Sequence, residues 1–212
     1  MILAALTLSL ALVTAAPPCV ASSARQLVTV EAVSTSTTHA TVRLWSRARD
    51  NECWHLTAGP WPARIGRGGL SAHHHEGDGT TPTGSFGFGP VVYGLGPNPG
   101  SRFRFQALQC GDWWDGDPRS ATYNRFRHIE CGRAPPFGGG SEALWQQTTA
   151  YRYFAVIEYN SSPAVAGRGS AIFLHATTRG PTNGCVSLPL DRLVQALRWL
   201  NPRLHPLIRI SG

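Results

Sequence analysis

Apolar positions in this chain mostly alternate over short runs, with a helical period in only two places. In residues 26–33, Val28, Val30 and Ala32 fall on one face and Thr29 and Glu31 on the other, which predicts a half-buried strand. Residues 40–45 repeat the pattern, with Val42 and Leu44 opposite Thr41, Arg43 and Trp45. These two runs predict an antiparallel pair, and residues 53–57 predict a third strand. Phe103 and Phe105 alternate with Arg102 and Arg104 in 101–110, while residues 151–159 are largely apolar on both faces, as in a central strand. Short apolar runs at 170–174 and 186–188 flank a loop rich in Thr, Gly, Pro and Asn, and residues 207–210 predict a closing strand. Helical signals are Ser141 and Glu142, as N-cap and first turn of a short helix through Gln147, and the stripe Leu190, Leu193, Val194, Leu197, Leu200, which Asn201-Pro202 stops. The patterning therefore predicts a mainly β chain with long loops, one short helix and one C-terminal amphipathic helix.

At 212 residues, 42% hydrophobic and 15% charged, the chain is long enough for one well-filled core. Its first stretch changes the picture of where it works. Residues 2–13 are apolar, and small residues follow at Thr14-Ala15-Ala16 and Ser22-Ser23-Ala24. We read 1–24 as a secretory signal peptide with cleavage near 16 or 24, and 25–212 as a single domain. The Lys or Arg that usually opens such a signal is absent, so either the true start lies upstream or the signal is atypical. The apolar run is too short for a stable membrane span. Pro18 before Cys19 disfavours lipid attachment, so the expectation is export without anchoring. Net charge is +7, but the arginines are scattered and form no recognisable nucleic-acid module, so no nucleic-acid partner is expected. A basic surface on an exported protein suits an anionic cell wall, or serves solubility.

Export makes disulfides admissible. Of the five cysteines, Cys110 and Cys131 flank a Trp- and Asp-rich segment and predict a bridge that pins a long loop, contributing about 3 kcal/mol by chain entropy. With Cys185 set aside as a thiol, Cys19 and Cys53 remain as a pair if cleavage falls near 16; cleavage at 24 leaves Cys53 unpaired. The run His73-His74-His75-Glu76-Gly77-Asp78 invites a metal, but consecutive residues of an extended chain point in alternate directions, so a polar loop and no metal are expected. The Gly-rich residues 63–70 lack any phosphate-binding pattern.

The chemistry-bearing stretch is 169–189. His175 ends one apolar run and Cys185 opens the next. If those strands are neighbours, the imidazole and thiol come within reach, and an imidazole is what a thiol with pKa near ~8.5 needs to act as a nucleophile. Gly184 lets backbone N–H groups turn toward a reacting carbonyl oxygen. On spacing alone, a buried strand cysteine beside an unrelated histidine fits equally well.

The run His175…Thr182-Asn183-Gly184-Cys185-Val186 resembles the signature of the L,D-transpeptidase catalytic domain (YkuD-type) family. There an upstream His precedes Ser/Thr-His-Gly-Cys-hydrophobic-Arg/Asn. Thr81-Pro82-Thr83-Gly84-Ser85-Phe86 is similar to a T-P-x-G-x-[FY] stretch near the start of that domain. Asn183 stands where the pattern has His, and Ser187 where it has Arg or Asn. The resemblance implies a β-sandwich of mixed sheets and an exported bacterial cell-wall or periplasmic enzyme without a cofactor. It implies Cys185 as nucleophile, His175 as base, Asn183 and Gly184 as backbone oxyanion support, and Thr182, Thr83 and Gly84 at the substrate. Peptidoglycan stem peptides are the implied partners, with covalent inhibition by carbapenem-type β-lactams.

Overall fold

The computed structural model describes residues 16–212; the predicted signal-peptide core at 2–13 lies outside the described residues. The strands are β1 (Gln26–Glu31), β2 (His39–Ser46), β3 (His55–Arg64), β4 (Leu70–Ser71), β5 (Thr81–Pro82), β6 (Gly84–Gly94) and β7 (Arg104–Ala107). They continue as β8 (Asp112–Asp115), β9 (Arg125–His128), β10 (Glu142–Ala143), β11 (Phe154–Ile157), β12 (Phe173–Ala176) and β13 (Val186–Leu188). Helix α1 (Leu190–Trp199) and β14 (Leu207–Ser211) complete the chain.

The main sheet is ordered β11-β12-β13-β3-β2-β1-β14-β6-β7, and β11 also pairs with β6. The resemblance implies a sandwich, whereas this sheet closes on itself from β11 round to β6, leaving β7 outside the ring. Closure pairs the edges that an open sheet would expose, apart from the short β7. The sheet is mixed, with β1–β14, β12–β13 and β6–β7 parallel and the other pairings antiparallel. Its interior holds Val28, Val30, Val42, Leu44, Leu174 and Ile208, all at most 1% exposed, and Leu193 and Leu197 of α1 pack onto this core. The α1 stripe is as the periodicity predicts except at its start, because Leu190 is exposed. β1 is buried on both faces rather than one: Leu27 packs with Trp45 and Trp54, and Thr29 accepts a hydrogen bond from the Trp45 indole.

Local differences from the sequence reading have local causes. The run expected as a strand over 151–159 is a strand only at Phe154–Ile157, since a 3-10 turn at Ala150–Arg152 precedes it. The short helix expected after Ser141 is a 3-10 turn at Leu144–Gln146 with no side-chain cap, because Ser141 Oγ instead accepts from the Gly116 N–H. β3 runs on to Arg64, past Pro60 and Pro62, taking in part of the region expected as turns.

Disulfides join Cys110 to Cys131 and Cys19 to Cys53, and Cys185 is free. Cys110–Cys131 staples an insertion in which β10, β8 and β9 form a separate three-stranded sheet. Its Asp115 is fully buried and accepts from the Thr122 hydroxyl and the Asp117 N–H, so this carboxylate is spent on the insertion's own turns.

Candidate active site

β12 and β13 lie side by side in parallel, with His175 in register with Ser187. This arrangement brings Cys185, immediately before β13, and His175, inside β12, to one cleft of about 620 Å³. The predicted strand at 170–174 begins later than expected: Ala171 adopts φ 55°, and regular pairing starts at Phe173.

The irregular start serves the thiol. Cys185 Sγ donates to the Ala171 carbonyl at 3.2 Å and accepts from the Phe173 N–H at 3.4 Å. Ala171 is held in turn by Asn124 of the stapled insertion. Asn124 Oδ1 accepts from the Ala171 N–H at 3.0 Å and from the Trp114 indole at 2.9 Å, while its amide nitrogen donates to the carbonyls of Tyr159 and Asn160. A buried amide with both ends fully used is a rigid bracket. Nothing in the sequence marks Asn124 for this position.

The loop before Cys185 is fixed by short-range bonds. Gly184 takes φ +144°, and a Cβ there would approach the Thr80 carbonyl oxygen to 3.0 Å, so a side chain is excluded. Thr182 Oγ1 accepts from the Gly184 N–H at 3.2 Å and donates to the Cys185 carbonyl at 2.6 Å. The Thr182 backbone binds Ile65 and Arg67, which ties the loop to the end of β3. Thr81 Oγ1, fully buried, accepts from the Gly66 N–H and reaches the Cys185 carbonyl at 3.4 Å. The Thr81-Pro82-Thr83-Gly84 stretch therefore supports the cysteine loop through its first residue. Thr83 and Gly84 do not line the cleft, whereas Thr182, Asn183, Cys185 and His175 do. Asn183 Oδ1 accepts from Arg67 Nη1 at 2.8 Å, which places a guanidinium at the cleft that the Gly-rich pattern of 63–70 had concealed.

Electrostatics follow from burial. Cys185 sits among Trp114, Tyr151, Phe154 and Phe173 in an apolar cluster, and is 8% exposed. Burial first, then the nearby Glu142 carboxylate, push its thiol well above the ordinary range, so the resting group is S–H. His175 is 6% exposed, and burial lowers it to about 4. Its Nδ1 lies 2.8 Å from the Ala176 carbonyl, which only accepts. That contact puts the ring proton on Nδ1 and leaves Nε2 as the basic nitrogen. The resting pair is thus a neutral thiol and a neutral imidazole. The imidazole ring meets Tyr151 edge-on at 5.8 Å, and the Tyr151 hydroxyl donates to the Glu142 carboxylate, which also lines the cleft.

The histidine run is a turn, as expected. His74 and His75 flank Asp78, whose carboxylate also caps the Thr80 N–H. Among the described residues, no group of three His, Cys, Asp or Glu side chains converges to hold a metal.

The family model described as YkuD, L,D-transpeptidase catalytic domain, matches residues 33–207. No curated protein and no solved structure matches.

Proposed function

The chain belongs to the L,D-transpeptidase catalytic domain family, and from that premise we propose that it is an exported acyltransferase of peptidoglycan with Cys185 as nucleophile. The observation that carries this reading is that His175, within β12 and with its Nε2 basic, and Cys185, just before the neighbouring β13, line one cleft. Cys185 Sγ attacks the carbonyl carbon of the third residue of a tetrapeptide stem as His175 Nε2 takes the thiol proton. The tetrahedral oxyanion is held by the backbone N–H groups of Asn183 and Cys185, while the Gly184 N–H, expected to join them, is taken by Thr182 Oγ1; losing one such donor costs roughly a hundredfold or more in other enzymes. The C–N bond breaks, His175 returns its proton to the leaving D-Ala amine, and a thioester remains. A side-chain amine of a neighbouring stem then forms a new amide and releases the thiol, giving a 3–3 cross-link. Starting from a buried, protonated thiol, the proton transfer accompanies attack, so binding of the peptide and exclusion of water are part of activation.

Incubation of purified protein with tetrapeptide muropeptides, followed by separation of the products, tests the reaction. Free D-Ala together with a 3–3 dimer is expected. Free D-Ala without dimer would make the protein a carboxypeptidase of the same bond, and neither product would leave it a wall-binding module. A carbapenem-type β-lactam is expected to acylate Cys185.

A further inference from the structure

We propose that Glu142, clamped by Tyr151, is the receptor for the ammonium group of the incoming amine and makes the acyl-enzyme choose amine over water. This inference rests on the acyl-enzyme reading above and assigns the residue that decides the thioester's fate.

Glu142 lies on β10, which pairs with β8 of the stapled insertion, so its carboxylate is carried to the cleft by an element outside the closed sheet. One carboxylate oxygen accepts from Tyr151, whose ring also touches His175. A second carboxylate, Glu76, lines the same cleft and accepts from the Tyr123 hydroxyl at 2.5 Å. Burial first, and Glu76 after it, hold the Glu142 carboxyl above its ordinary range despite the Tyr151 hydrogen bond, so its charged form lacks a counter-charge beside it. A bound cation supplies one. Ser170 is a separate observation: it is 8% exposed, lines the same cleft beside Ala171, and its hydroxyl, next to that of Tyr123, makes no hydrogen bond of normal length, which leaves it open to a donor in the cleft. An ammonium group has three N–H donors, suited to carboxylate and hydroxyl acceptors of this kind. Glu142 and Cys185 line the same cleft, so the acidic wall and the acyl sulfur share one space.

In the step this implies, the ammonium gives one proton to Glu142 and becomes a free amine. Its nitrogen forms a C–N bond to the thioester carbon as the C–S bond breaks. The second proton passes through His175 to the departing Sγ, which regenerates the thiol, and Glu142 releases its proton to solvent.

The test uses the full chain, acylated with a tetrapeptide donor and confirmed by intact mass. The acyl-enzyme is then partitioned between a diamino-acid amine, charged near neutral pH, and hydroxylamine, which is neutral there. In Glu142→Gln the ratio of aminolysis to hydroxylaminolysis should fall at least about tenfold, the scale of one hydrogen bond to a charged group. Tyr151→Phe keeps the ring and should lower the ratio by a smaller factor. This variant decides the matter if Glu142→Gln does not fold. A ratio within twofold of wild type in the folded variant overturns the proposal. Failure of the wild type to acylate at all would instead overturn the acyl-enzyme reading.

Discussion

His74 and His175 are each 6% exposed, and each turns Nδ1 toward an oxygen, yet their other nitrogens meet different surroundings. His74 Nδ1 lies 2.9 Å from the Asp78 carboxylate and 3.0 Å from the Thr80 hydroxyl. Its Nε2 is pressed against the chain, since a Cβ on Gly169 would come within 2.3 Å of it. His175 has only a backbone carbonyl on Nδ1, and its ring lines the cleft that Cys185 shares. A carboxylate partner and a walled-in Nε2 suit a strut; a carbonyl partner on a ring that lines the cleft suits the base proposed above. Burial alone does not distinguish them, because it lowers both groups, with Asp78 partly offsetting it at His74.

The sharpest way to break this contrast is to remove each ring. His175→Gln should slow acylation of Cys185 by at least about a hundredfold, the usual scale of general-base catalysis. His74→Gln should slow it less than about tenfold while lowering the melting temperature. Single-turnover intact-mass kinetics and thermal melts measure both. Equal rate losses would erase the distinction.

Acid stability gives the next effect. The His175 pKa is lowered from 6.5 to about 4 in the folded protein, so on acidification the unfolded chain takes up this proton first. Stability present above pH 6.5 is therefore lost as pH falls toward 4, by up to about 3 kcal/mol for a fully buried ring. His74, also lowered, contributes in the same direction. Urea unfolding across that range should show a shallower slope in His175→Gln, and an unchanged slope would mean that the ring is solvated. The smallest effect concerns the strut. Gly169 has φ +96° and faces His74 Nε2, so Gly169→Ala should destabilise by about 1–3 kcal/mol, and His74→Ala in the same chain should restore part of the loss.

Much of the frame was legible because burial imposes period two on strands and a three-to-four period on α1. β1, β2, β13 and β14 fall where alternation or an apolar run places them. What patterning could not supply was closure of the sheet, which depends on β11 pairing with β6 across about sixty residues of chain. It also overread 151–159, where the apolar Tyr151 and Tyr153 are buried side chains flanking or within a 3-10 turn rather than a continuous strand. At the site, Cys185 and His175 were visible as residue types at strand ends. Arg67, Asn124, Glu142 and Tyr151 were not, since each reaches the site or its supports through folding of distant segments. Thr182 was expected at the substrate, but its hydroxyl is committed to the loop that carries Cys185.

The central claim is that Cys185 takes the acyl group, and peptide mapping of the full chain after reaction with a carbapenem-type β-lactam tests it most directly. A single adduct on the peptide containing Cys185, absent from Cys185→Ala, is the predicted result. An adduct that survives in Cys185→Ala, or none on the wild type, would contradict it.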